Sequence, residues 1–115
     1  MNNAPVSQTL ASIARLIAES NDFTLIMHVS PDGDSIGSAC ALRLALMAMG
    51  KRVQAVCDGD VPRIYRFLEG AEDIIKPNDA RITSAAIAVD CADEGRMGAA
   101  DEIFAQAKHT ANIDH

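Results

Sequence analysis

The sequence predicts an α/β fold, a three-layer sandwich built on a mainly parallel sheet. Continuous apolar runs at 23–29 and 85–89 are too uniform for half-exposed strands and suit a parallel sheet covered on both faces. Strand-like and helix-like stretches alternate along the chain, the pattern of an open sheet with right-handed crossovers. Asp-, Gly- and Pro-rich turns fall after the first two strand-like runs.

The elements follow in order. Ala4 to Ser20 reads as a helix, because Val6, Leu10, Ile13, Ala14 and Ile17 recur at three- and four-residue spacing, and Asn21-Asp22 ends it. Phe23 to Val29 is the first strand, and Ser30-Pro31-Asp32-Gly33-Asp34 is a tight turn by composition. Ser35 to Met49 is a helix of apolar and small residues with Arg43 its only charge, and Gly50 is a natural stop. Val53 to Cys57 is a second strand. Asp58-Gly59-Asp60 is a loop, and Pro62 opens a short helix through Phe67. Ile74-Ile75 suggests a brief strand, Ala85 to Val89 a buried one ending at Asp90, and Asp101 to Lys108 a helix. Thr110 to His115 starts a further strand or a strand-end loop. There is no internal repeat, low-complexity segment or linker.

Composition bounds the function. Apolar residues make up 49% and aromatic ones only 3%, so the core must be aliphatic. No apolar run approaches the ~20 residues that span a bilayer, so no membrane partner is expected. Met1-Asn2-Asn3-Ala4-Pro5 has no basic region before an apolar stretch, and no secretory signal is expected. Cys40, Cys57 and Cys91 are widely spaced, with none in a C-x-x-C pair, which points to reduced thiols in the cytoplasm. A net charge of −6 argues against a large nucleic-acid surface. It leaves phosphate substrates open, since acids that hold divalent cations present a locally positive face.

Ligands of open α/β sheets sit beyond the carboxyl ends of strands. His28 lies at the end of the first strand, with Asp32 and Asp34 just after it. Asp90 ends a later strand, and Asp114 and His115 close the last segment. Carboxylates crowded together repel one another, so such a cluster is stable at neutral pH mainly when cations neutralise it. Oxygen-rich donors with a minority of imidazole suit Mn²⁺ or Mg²⁺ better than Zn²⁺ or copper. Two such ions about 4 Å apart are a standard device for phosphoryl transfer. One carboxylate normally bridges them, and Asp90, alone at its strand end, is the expected bridge.

Simpler roles stand beside these. Asp34 or Ser35 can serve as the N-cap of the following helix, and Asp93 can cap the segment from Glu94 onwards. Arg63 and Arg66 could meet substrate phosphate but read rather as a solvated face, His109 as a surface residue, and Cys91 as a small buried hydrophobe.

His28-Val29-Ser30-Pro31-Asp32-Gly33-Asp34-Ser35-Ile36-Gly37-Ser38 resembles the first motif of the DHH phosphoesterases, H-x-x-P-D-x-D-x-x-G-S. Val89-Asp90-Cys91-Ala92-Asp93 looks like the second, an Asp ending an apolar strand, and Asn112-Ile113-Asp114-His115 looks like the start of the third, N-I-D-H-H. The resemblance runs from about Leu10 to His115. It implies that His28, Asp32 and Asp90 hold one metal and that Asp34, Asp90 and His115 hold the other. The ions would be two Mn²⁺, with Mg²⁺ or Co²⁺ as alternatives. Asp114 and His115 would be catalytic, Asp114 by orienting its neighbours. Gly37 and Ser38 would let the helix N-terminus approach the site closely.

The P-D-G-D-S-I-G-S form is most similar to the branch of bifunctional oligoribonucleases and 3′-phosphoadenosine 5′-phosphate phosphatases. The implied function is two-metal hydrolysis of that nucleotide, of very short oligoribonucleotides, or of both. Rival readings are a family II-type inorganic pyrophosphatase, a cyclic-dinucleotide phosphodiesterase and, from another class, a catalytically silent fragment or nucleotide-binding module. The resemblance's second histidine, its fourth-motif Asp and its C-terminal substrate domain have no counterpart within the 115 residues. Residues 1–115 are therefore expected to be the N-terminal part of a DHH metal-binding domain, incomplete for catalysis on their own.

Overall fold

The computed structural model describes residues 6–29, 31, 33–68, 70–89 and 94–113, the side chains of 6–10 and 94–96 excepted. Four parallel strands form one sheet: β1 (Asp22–Ile26), β2 (Arg52–Val56), β3 (Ala85–Val89) and β4 (His109–Ile113), in the order β2-β1-β3-β4. The helices are α1 (Val6–Glu19), α2 (Gly33–Ala48) and α3 (Asp101–Gln106). Short 3-10 turns occupy Arg63–Tyr65, Ala71–Asp73, Pro77–Asp79 and Glu94–Ala100.

Alternation along the strands divides the core between the two faces of the sheet. Phe23, Leu25 and Ile87 pack with Leu16 and Ile17 of α1 and Leu42 and Leu46 of α2. Met27, Ala55 and Cys57 continue that face against Ile36, Ala39 and Cys40 of α2. On the other face Ile26, Val56 and Ala88 meet Met97, Ala100 and Ile103, the last from α3. The expected three-layer α/β sandwich is therefore the observed one. The β1-α2-β2 and β3-α3-β4 crossovers run opposite ways along the sheet, and α2 and α3 lie on opposite faces, as crossovers of one hand require. All five residues of β3 are buried, as the uniform apolar run requires. Each fully buried Leu, Ile or Phe side chain contributes roughly 1.5–3 kcal/mol.

The structure shifts several expected boundaries. The strand expected to reach Val29 ends at Ile26, although the Met27 N–H still donates to the Val56 carbonyl at 3.1 Å. α2 starts at Gly33 rather than Ser35. It ends as expected: Gly50 takes φ +84, Gly50 N–H donates to Met47 O and Lys51 N–H to Leu46 O, both at 3.0 Å. Those are the two bonds of a Schellman stop, where the left-handed position favours glycine. The short helix expected from Pro62 is a single 3-10 turn. The Ile74-Ile75 strand reduces to one parallel bridge, Val56 with Ile75, secured by Ile75 N–H to Ala55 O at 2.9 Å and Cys57 N–H to Ile75 O at 3.0 Å.

Half of the second face is polar despite its burial. Gln54 donates to Thr24 Oγ1 at 2.8 Å and to Arg81 O at 2.7 Å, and its carbonyl accepts from Arg81 N–H at 3.2 Å. The Thr24 and Thr83 hydroxyls pair at 2.7 Å. Arg81 also pairs with Asp22. This network pins the segment that leads into β3 across the lower sheet. Its donors and acceptors are matched, which is what makes buried polar side chains tolerable.

Candidate functional site

The sheet order fixes where a site belongs. β2 is laid on one side of β1, and the chain then passes back to lay β3 on the other side. The order therefore reverses between β1 and β3, the kind of switch point at which ligands bind in open α/β sheets. The carboxyl ends of β1, β3 and β4 are level, with Ile26 beside Ala88 and Val89 beside Ile113.

His28 follows β1 by two residues and is 7% exposed. The Cys57 thiol donates to the His28 carbonyl at 3.4 Å, which ties the end of β1 to the end of β2. Asp34 is exposed in the first turn of α2, and Ser35 beside it is fully buried. Both lie inside the helix, so neither is the N-cap that the sequence suggests. A carboxylate in the first turn is favoured by the positive end of the helix dipole. Asp32, Asp90, Asp114 and His115 lie outside the described residues, as do Asp93 and Cys91. Val89 and Ile113, the described neighbours of Asp90 and Asp114, end β3 and β4 at the same edge as His28. Among the described residues no three His, Cys, Asp or Glu side chains come together as a metal-binding group. The two described candidates, an imidazole and a carboxylate from segments that leave the switch point, are donors of the nitrogen and oxygen type expected for Mn²⁺ or Mg²⁺.

The loops at this edge are locked together. A Cβ on Gly59 would stand 1.7 Å from Val29 O, so the loop after β2 touches the backbone of the loop after β1. A Cβ on Gly98 would stand 2.4 Å from Asp58 Oδ2 and 2.5 Å from Val29 Cγ1. Gly98 interrupts the Glu94–Ala100 turns at φ +60 and ψ −135, a conformation that favours glycine. Just past that kink, Ala99 N–H donates to Asp58 Oδ2 at 2.9 Å. Asp58 thus fastens the loop after β3 to the end of β2. In sequence Asp58 reads as loop only, although it too follows the carboxyl end of a strand.

Beside this junction lies a hollow of about 380 Å³, lined by Cys57, Gly59, Asp60, Arg66, Glu72 and Lys76 among others. Lys76 Nζ donates to Asp60 at 2.7 Å and to Gly59 O at 2.9 Å. Its ammonium holds the Asp60 carboxyl below its usual range, and the same bond raises Lys76 above its own. Burial pushes the Cys57 thiol up. Arg63, Arg66 and His109 are exposed, as expected. Tyr65 packs on the start of α2, since a Cβ at Gly33 would meet its ring at 3.0 Å. A Cβ at Gly37 would meet nothing within 4 Å, so the close approach expected there involves no described part of the chain.

Known proteins match the chain in sequence and in fold. The family model described as "DHH family, N-terminal domain" matches residues 22–115. The bifunctional oligoribonuclease and PAP phosphatase NrnA of Thermus thermophilus is 37% identical over 108 residues, which are 88% of this chain and 31% of that protein. The chain thus spans about a third of the length of this relative. A crystal structure of an exopolyphosphatase-related protein from Bacteroides fragilis superposes with a TM-score of 0.87 at 20% identity, over 100% of this chain and 36% of that one. That similarity establishes the fold. No helix among the described residues is long and apolar enough to cross a membrane.

Proposed function

The chain belongs to the DHH family, through its N-terminal domain, and from that premise we propose that the full-length protein is a two-metal phosphoesterase. Its substrates are 3′-phosphoadenosine 5′-phosphate, very short oligoribonucleotides, or both. The observation that carries this reading is the switch point between β1 and β3, with His28 just past β1 and Asp34 in the helix that follows. The choice of substrate is supported by the 37% identity to a protein whose name pairs oligoribonuclease with PAP phosphatase activity.

In this reading His28, Asp32, Asp34, Asp90 and His115 hold two divalent cations, Mn²⁺ in preference to Mg²⁺ or Co²⁺. Such ions supply charge neutralisation at the phosphate and an activated water. The chain's own residues do the rest. An imidazole ligand must be neutral to bind a cation, so His28 and His115 serve only where they are deprotonated. Asp114 orients its neighbours. The amino end of α2 adds the positive end of a helix dipole beside Asp34, a setting that favours a phosphate. The buried free thiols of Cys40 and Cys57 fit a reducing compartment, and a cytoplasmic location is part of the proposal.

The test is phosphate or nucleotide release by the full-length protein with Mn²⁺. The substrates are 3′-phosphoadenosine 5′-phosphate, a dinucleotide, inorganic pyrophosphate and a cyclic dinucleotide. Turnover of the first two with little of the others is expected. Turnover of pyrophosphate or the cyclic dinucleotide alone would overturn the substrate assignment, and no metal-dependent turnover of any would overturn the reading itself.

A further inference from the structure

The turn after β2 carries its most apolar side chains outward. Tyr65 and Leu68 are partly buried against the cluster around Met27, Ile36 and Cys40. Ile64 and Phe67, between and beside them, are 70% and 81% exposed. One exposed apolar residue is ordinary. Here the company and the place are not. Arg63 and Arg66 precede Phe67 by four residues and by one, in a chain whose net charge is −6. The ion pairs of the described residues, Arg43–Asp73, Lys76–Asp60 and Arg81–Asp22, leave both arginines out, although Asp60 feels the charge of Arg66. The turn also rests on the first turn of α2, through Tyr65 against Gly33, one residue from Asp34.

An exposed ring that follows two exposed arginines on one turn matches one ligand chemistry well. A nucleobase stacks on an aromatic face whatever its identity, and a guanidinium binds the attached phosphate through paired hydrogen bonds. In a chain of net negative charge, local cationic points such as these attract a polyanionic substrate. We infer that Phe67, with Arg63 and Arg66, forms a subsite for one nucleotide unit of the substrate, the ring stacking its base and the arginines binding its phosphate. This inference rests on the proposed nucleotide substrates. It adds the group that distinguishes a nucleotide from a bare phosphate.

The test uses the full-length protein and two ligands, a dinucleotide and its counterpart lacking one base. Binding is followed without catalytic metal, and hydrolysis with Mn²⁺. Wild type should bind the complete dinucleotide roughly 5- to 150-fold more tightly, the range of one base stacked on an aromatic ring. Phe67→Ala should bring that ratio close to one, Phe67→Trp should keep it, and Arg66→Gln should weaken both ligands together. If wild type hydrolyses the dinucleotide but Phe67→Ala keeps the full preference for the base, the subsite is wrong and the phosphoesterase reading stands. If the preference is lost in Phe67→Ala but neither wild type nor any variant hydrolyses either ligand, the subsite stands and the phosphoesterase reading fails. If Phe67→Ala weakens both ligands equally and changes the sedimentation of the protein, the patch is a surface for a second copy and the inference is overturned.

Discussion

Gly59→Ala is expected to disable the site while leaving the fold standing. The added Cβ would lie 1.7 Å from Val29 O and 2.8 Å from Val29 C, and both are backbone atoms that no rotamer change can move. Ordinary contact begins at 3.4 Å, so the two loops must part by about 1.7 Å. Overpacking of this kind costs about 1–3 kcal/mol. A domain holds roughly 5–15 kcal/mol in reserve, so the variant stays folded at about 25 °C. Catalysis is less tolerant: a displacement of ~1 Å in a positioned group can cost about 10²-fold. Val29 adjoins His28, and the shift falls on that segment. The expected result is a drop of about 100-fold or more in kcat/KM for 3′-phosphoadenosine 5′-phosphate, with a modest fall in the urea midpoint. Gly50→Ala is the control. Gly50 holds φ +84 at the far end of α2, so an alanine there costs a similar ~1–2 kcal/mol through backbone strain alone. It should leave turnover intact. Wild-type kcat/KM in Gly59→Ala would refute the claim that the loops after β1 and β2 hold one another in place.

Other outcomes follow from the same structure. Gln54→Leu removes the buried hydrogen bond to Thr24 and the part-buried one to Arg81, so it should cost about 1–3 kcal/mol in urea denaturation without affecting turnover, since the network lies away from the strands' carboxyl ends. Asp58→Ala removes the acceptor for Ala99 N–H, an exposed hydrogen bond of the kind that contributes about 0.5–1.5 kcal/mol. Faster hydrogen exchange at Ala99 should report it, and unchanged exchange would contradict the role given to Asp58. The Asp60–Lys76 pair should make stability depend on pH at both extremes. Asp60 is lowered, so its contribution is present above the ordinary carboxyl value and lost as pH falls through its folded one. Lys76 is raised, so its contribution is present below the ordinary amine value and lost as pH rises through its folded one. The difference in urea midpoint between wild type and Asp60→Asn should therefore be largest between about pH 5 and pH 9 and shrink in high salt, because the pair is exposed.

The parallel sheet is legible in the sequence because its buried strands are largely apolar. Ala85–Val89 falls at the expected residues, and Gly50 stops α2 where expected. What stays hidden is non-local. Thr24 and Gln54 interrupt apolar strands, and only their partners Thr83 and Arg81, far along the chain, make their burial intelligible. Gly59 reads as a loop glycine and Gly98 carries no signal of its own, whereas their need for glycine comes from Val29 and Asp58 on other segments. Asp58 escapes a linear reading because one acid in a turn has no periodicity to mark it. Of the candidate ligands, His28 and Asp34 are placed at the carboxyl edge, and Asp32, Asp90, Asp114 and His115 lie outside the described residues.

The most direct test is the number of Mn²⁺ ions bound by the full-length protein, measured calorimetrically for wild type and for Asp90→Ala. Asp90 is the carboxylate proposed to serve both ions, so its loss should disturb the two sites together. Two ions per chain in wild type, with both sites strongly weakened in Asp90→Ala, is the expected result. Unchanged stoichiometry and affinity in Asp90→Ala would contradict a shared two-metal centre at the β1–β3 edge.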